Sequence, residues 1–171
     1  MDPFSAEGGK HIDHSHSHSH SHQLALQTGN QQTKLTPNPE LINIHNAFHQ
    51  GQYGTVLDFD TTTLSPENHL PARVLQLRAK IALGQPEQAL SDIDDESNPD
   101  LAAVKALAQH TAGDADGALK SVQDLAENYP DNANVQVLGG TVLQAQGRSE
   151  EAVGLLSKHQ GSLEAYVVLL P

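Results

Sequence analysis

The sequence predicts an all-α fold, a solenoid of stacked helical hairpins, on three observations. A glycine is followed five residues later by a small or branched apolar residue, and then by Leu or Val, four times. The instances are Gly51-Val56-Leu57, Gly84-Ala89-Leu90, Gly113-Ala118-Leu119 and Gly147-Ala152-Val153. These glycines recur at intervals of 33, 29 and 34 residues, a period typical of helix-turn-helix repeats. The aromatic content is only 4%, which an Ala- and Leu-rich helical array tolerates better than a mixed α/β core does. Glycine ends the first helix of each pair because it adopts φ > 0 just past the last helical residue. The small residue falls about one turn into the second helix, where the two helices approach closely. Arrays of this kind present curved surfaces that hold other proteins, so the function class they point to is binding.

The ordered part is expected to open at Pro39-Glu40, with proline at the first helical position and an acidic side chain at the positive helix end. Leu41, Ile42, Ile44, Ala47 and Phe48 form an apolar stripe that stops at Gly51, and a short second helix is expected from Gln52 to Asp60. The second hairpin is expected to start near Leu70-Pro71, with Val74, Leu75, Leu77, Ile81 and Ala82 inward as far as Gly84. Its partner helix runs from Pro86 to about Ile93. The third unit runs from Pro99 to Gly113, then from Asp114 to Tyr129, ending at Pro130. The fourth runs from Asn132 to Gly147. Ser149 is expected to cap its second helix, and Ala152, Val153, Leu155 and Leu156 to carry the packing face. Ser162 to Leu170 reads as the first helix of a fifth unit, cut short at Pro171.

The third unit fits the tetratricopeptide pattern best: with its helix-ending glycine at Gly113, Ala118 takes the small position, Val122 the bulky one and Pro130 the terminal proline. Gly140, inside a predicted helix, falls at the pattern's other small position, where neighbouring helices touch. No unit has the pattern's bulky Trp-like residue. The expectation is a tetratricopeptide-like right-handed helical-hairpin solenoid of about four helix pairs plus a truncated fifth. Gly51, Val56, Gly84, Ala89, Gly113, Ala118, Gly140, Gly147 and Ala152 are its packing residues.

Residues 1–39 differ from the rest. Six of the eleven histidines lie between His11 and His22, in a tract that alternates His and Ser, and Gln, Thr, Asn and Pro follow. Such a segment buries too little apolar surface to offset its ordering entropy and is expected to be disordered, leaving residues 40–171 as the repeat domain. Its imidazoles suit Zn²⁺ or Ni²⁺, but the tract reads as an expression tag or low-complexity insert whose metal affinity is adventitious.

Net charge is −12 with only nine Lys and Arg, which argues against nucleic acid or anionic membrane as the main partner. The chain has no Cys, hence no disulfide framework or thiolate metal site. The acidic run Asp92–Glu96 lacks the ligand spacing of a Ca²⁺ loop and reads as a solvated linker. His45 and His49 have the i, i+4 spacing of helical zinc ligands, without a glutamate between them or a third ligand, and read as surface residues. No catalytic triad, phosphate-binding loop, cofactor site or metal site is apparent, and no enzymatic function is expected.

One block is more specific than the repeat. Glu40-Leu41-Ile42-Asn43-Ile44-His45-Asn46-Ala47-Phe48-His49-Gln50-Gly51-Gln52-Tyr53 resembles the opening repeat of the epsilon subunits of coatomer, which read close to E-L-x-x-[IV]-x-N-A-F-x-x-G-x-Y. Leu64-Ser65-Pro66-Glu67 and Pro99-Asp100-Leu101-Ala102-Ala103-Val104 also fit that family, and the resemblance covers about residues 40–165. Met1 to Gly8 resembles the start of fungal members, where the E-L segment follows almost at once. Residues 9–39 interrupt the match. Gly9-Lys10 is encodable by GGTAAG, similar to an intron donor, so a retained intron is the preferred reading and an engineered tag the alternative.

The resemblance implies a structural subunit of the COPI vesicle coat in Golgi-to-endoplasmic-reticulum and intra-Golgi transport, cytoplasmic and peripheral on Golgi membranes and coated vesicles. It implies the C-terminal domain of the alpha subunit of coatomer as partner, with the repeats curling around a projecting segment. It also implies contact with membrane only through the coat, and further repeats past Pro171 on which partner affinity depends. The side chains that touch the partner are not identified by it. Two alternatives rest on the residues alone. One is an adaptor that clamps C-terminal peptides of chaperones or other partners, for which the ordered part offers Arg73, Arg78, Lys80, Lys105, Lys120, Arg148 and Lys158. The other is a metal-storing protein, resting on the His/Ser tract.

Overall fold

One hydrogen-bonded joint recurs four times among the described residues and determines their architecture. In the computed structural model, which describes residues 39–93 and 97–158, Gly51, Gly84, Gly113 and Gly147 have φ of 73°, 76°, 96° and 75°. At each, the glycine N–H donates to the carbonyl three residues back, and the next N–H donates to the carbonyl five back. Gly113 donates to His110 at 3.1 Å and Asp114 to Gln109 at 2.9 Å, and the other three joints repeat the pattern. This is the paired bonding of a glycine-terminated helix end. The residue after the glycine then works in the opposite direction. Its carbonyl accepts the N–H of the small residue: Gln52 from Val56, Gln85 from Ala89, Asp114 from Ala118 and Arg148 from Ala152, at 3.0–3.2 Å. A single residue closes one helix and opens the next.

The joints link α1 (Ile42–His49) to α2 (Tyr53–Leu57), α3 (Pro66–Ala82) to α4 (Pro86–Asp92), α5 (Pro99–Thr111) to α6 (Ala115–Asn128), and α7 (Gly140–Ala145) to α8 (Ser149–Leu156). A 3-10 turn, Pro39–Leu41, precedes α1, and a π-helical stretch, Val135–Gly139, runs directly into α7. The first helices α1, α3, α5 and α7 pack side by side. The second helices α2, α4 and α6 each pack against their own partner and the first helix of the following pair, and α8 packs against α7. The described residues thus form an all-α array of stacked hairpins.

Two apolar clusters hold the array together. One joins Leu41, Ile44, Ala47 and Val56 to Ala72, Leu75 and Ala79 of α3, and the other starts from Val74, Leu77 and Ile81 on the same helix and extends to Leu156. The α3 helix is therefore buried on two faces, which is why its apolar stripe is broad.

Several expected boundaries move. The α2 helix ends at Leu57, not Asp60, because Asp60 folds back to accept the N–H of Thr62 at 2.9 Å, a local turn that competes with helix. The α3 helix starts at Pro66, not near Leu70, and carries Pro71 in its interior. The carbonyl that Pro71 cannot serve is that of Glu67, an exposed residue in the first turn of the helix. Ser149 does not cap α8. It is the first helical residue, Arg148 takes the cap position, and no side chain caps that end. Val153 is 51% exposed, so the packing face of α8 is Ala152, Leu155 and Leu156. Ala82 is likewise exposed. Residues 1–38 with the His/Ser tract, Asp94 to Glu96 of the acidic run, and the expected fifth helix at Ser162–Leu170 lie outside the described residues.

Candidate functional site

Among the residues singled out from the sequence, Val56, Ala89 and Ala118 are fully buried and Ala152 is 3% exposed. A Cβ at Gly140 would stand 2.7 Å from Cγ of Leu156, and one at Gly139 would stand 3.1 Å from Cδ2 of Leu155 and 3.2 Å from Cγ1 of Val122. The glycine pair therefore lets the fourth pair's helices approach each other and α6. Gly51, Gly84, Gly113 and Gly147 have open space where a Cβ would stand, so their requirement is conformational only. These residues lie at different joints and do not converge on one site.

Polar clamps between consecutive units are a second set of positioning residues, which the repeat pattern does not predict. The Glu40 carboxylate accepts the Ser65 N–H at 2.9 Å, the Ser65 hydroxyl at 2.6 Å and the side-chain amide of buried Asn68. It thus caps α3 from 25 residues away in sequence. The Ser65 hydroxyl, its backbone N–H and Asn68 hold the Glu40 carboxyl below its ordinary range. Two units later, Asp100 accepts from Asn132 at 2.9 Å and Asn134 at 3.0 Å, while Asn132 caps the next helix through the Val135 N–H at 2.9 Å. In both clamps an acidic residue after proline, at the start of one first helix, holds polar groups at the start of the following one. The recurring Pro-acid dipeptide was visible in the sequence. Its partners, an interval of about one repeat away, were not.

Among the described residues, grooves open between α2 and α4 and between α6 and α8. The first, about 320 Å³, lies between α2 and α4 over α3 and is lined by Leu57, Arg73, Gln76, Leu77, Lys80 and Asp92. Lys80 pairs with the Asp92 carboxylate and Arg73 donates to the Asp92 carbonyl. Asp92 of the acidic run is therefore a tie between α4 and α3, not solvated linker. Gln76 reaches the carbonyls at the end of α2, the nearest being Phe59 at 3.2 Å. The second groove, about 620 Å³, lies between α6 and α8 over Leu143 of α7, and Asp124, Glu127, Glu151 and Lys158 carry its charge.

His45 and His49 stack with centroids 6.2 Å apart, and Phe48 packs edge-on against Tyr53 at 5.6 Å under the guanidinium of Arg78 at 4.6 Å. Among the described residues no group of three or more His, Asp or Glu is placed to hold a metal ion. None of their helices is long and apolar enough to cross a membrane.

Glycine-jointed hairpins, first helices packed side by side and second helices bridging consecutive units define a tetratricopeptide-like repeat scaffold. The chain belongs to the coatomer epsilon subunit family, which it matches over residues 37–169. It is 29% identical over 126 residues to the probable coatomer subunit epsilon of Schizosaccharomyces pombe, covering 74% of this chain and 41% of that protein. It is 28% identical over 136 residues to coatomer subunit epsilon-2 of Arabidopsis thaliana, covering 75% of this chain and 45% of that one. With coatomer subunit epsilon-1 of rice it shares 24% over 140 residues, 76% of this chain and 49% of the relative. The chain spans less than half the length of these relatives.

Proposed function

We propose that this protein is a structural, non-enzymatic component of the coatomer vesicle coat that binds the alpha subunit of coatomer through its helical-repeat surface. It would act in Golgi-to-endoplasmic-reticulum and intra-Golgi transport, on the cytoplasmic face of Golgi membranes and coated vesicles, reaching the membrane only through the coat. The observation that carries this reading is the family match over residues 37–169. The Glu40–Tyr53 block adds to it: its residues build the first hairpin, in which Ile44 and Ala47 are buried, and Glu40 clamps the second. The net charge of −12, with only nine Lys and Arg, also favours a protein partner over nucleic acid.

Co-purification tests the reading. The chain, expressed with the C-terminal domain of the alpha subunit, is expected to elute with it in one peak at physiological salt. Separate elution, under conditions where the S. pombe relative co-elutes, would count against it. A clamp for acidic C-terminal peptides is the second reading, favoured by Arg73 and Lys80 lining one groove. Asp92 engages both cations, so such a peptide must displace it.

A further inference from the structure

The groove between α6 and α8 contains a glycine that packing among the described residues does not explain. Gly154 lies inside α8, on the groove wall with Glu151, Leu155 and Lys158. Gly139 and Gly140 have steric reasons to be glycine, and the four joint glycines have conformational ones. Gly154 has neither. Its φ is not positive, and a Cβ built there meets nothing within 4 Å. Glycine weakens a helix relative to alanine, and among the described residues no contact compensates. What a bare stretch of helix backbone does provide is room for another chain to approach closely.

The rest of the groove fits such an approach. Its floor is apolar, built from buried Val122, Leu143 and Leu155 with half-buried Ala126. Its rim carries Asp124 and Glu127 from α6 and Glu151 from α8, against the single cation Lys158. Glu151 is paired with Arg148 and accepts from Gln123 at 3.5 Å, which leaves Asp124 and Glu127 as the rim carboxylates with no ion pair among the described residues. Residues 159–171 of this chain contain Glu164 and no Lys or Arg, so charge complementarity favours a partner over the chain's own C-terminal residues. We propose that the α6–α8 groove docks a basic amphipathic segment of a partner protein. Apolar side chains of that segment would lie on the floor, its Lys or Arg residues would face Asp124 and Glu127, and its closest approach would be at Gly154. The proposal goes beyond alpha-subunit binding and does not depend on it.

The test uses the full chain and a fluorescent amphipathic peptide with Leu at i, i+3, i+4 and i+7 and Lys elsewhere, followed by anisotropy. Controls are a scrambled Leu/Lys peptide and the Leu/Glu counterpart. The stripe-bearing Leu/Lys peptide is expected to bind at least tenfold more tightly than either. Gly154→Gln, which improves helix propensity while filling the wall, should weaken binding at least tenfold without lowering the melting temperature. Glu127→Lys should weaken it severalfold, and Glu87→Lys, the same charge change on exposed α4, should not. Equal binding of the scrambled peptide, or undiminished binding by Gly154→Gln, overturns the proposal. So does binding that emerges only after residues 159–171 are deleted, or self-association abolished by Gly154→Gln. Those two results would assign the groove to the chain's own C-terminus or to a second copy. Loss of peptide binding with alpha-subunit binding intact separates this site from the proposed function.

Discussion

At the scale of single residues, the backbone conformation of four glycines supports the whole arrangement. Gly113 has φ of 96° with open space around its missing Cβ, so a substitution there meets strain alone. Gly113→Ala is expected to destabilise by about 1–2 kcal/mol, the usual cost of a left-handed conformation for an L-residue. Gly54 also has open space but lies in α2 without positive φ. Gly54→Ala should therefore stabilise by about 0.5–1 kcal/mol. Paired denaturant midpoints check both signs, and a loss at both positions would contradict the conformational account. These joint glycines were legible in the sequence because one φ requirement repeats at a fixed interval. Caps were less so. Asn98 caps α5, accepting from Asp100 at 2.9 Å, and Asp114 caps α6 through Gly117, whereas Ser149 sits one residue too late to cap α8. A cap depends on the dihedrals of one residue, which helix-end statistics locate only to within a residue or two.

At the scale of elements, packing and clamps decide stability. Ala118 is fully buried in the cluster that contains Val122 and Leu125, with Leu107 and Leu119 packed against it. Ala118→Leu adds three heavy atoms there and is expected to cost about 1–3 kcal/mol. The exposed change Lys120→Ala should stay within about 0.5 kcal/mol. Equal denaturant midpoints for the two variants would mean that the helices do not meet at Ala118.

The Glu40 clamp predicts a pH dependence. Its carboxyl is held below the ordinary value of 4.5, chiefly by the Ser65 hydroxyl, so the folded state favours the carboxylate. That contribution is complete above the ordinary value and disappears as pH falls through the lowered one. Wild type should therefore be more stable than Glu40→Gln at neutral pH and converge with it under acid. Parallel stability curves would rule the clamp out. Element order, the four joints and the inward small residues could be read from the sequence. The start of α3 could not, because what caps it is Glu40, 25 residues upstream. The end of α2 was also hidden, since Asp60 turns the chain and Gln76 of α3 covers the last carbonyls.

At the scale of the molecule, stacked first helices and bridging second helices make one continuous array, in which each pair is supported mainly by its neighbours. The Ala118→Leu change should therefore loosen the second and fourth units along with the third, which hydrogen exchange would detect as lost protection on both sides. Repeat architecture and family were legible because a periodic joint and the Glu40–Tyr53 block both lie in local sequence. The groove between α6 and α8 was not, because its floor, rim and wall come from three helices and take shape only once those helices pack. Under the proposed function, this array binds the alpha subunit of coatomer. Amide hydrogen exchange of the full chain, with and without the C-terminal domain of that subunit at saturating concentration, tests it most directly. The account predicts a contiguous set of helices with slowed exchange in the mixture and unchanged exchange elsewhere. Identical exchange along the whole chain, with and without the partner, would contradict it.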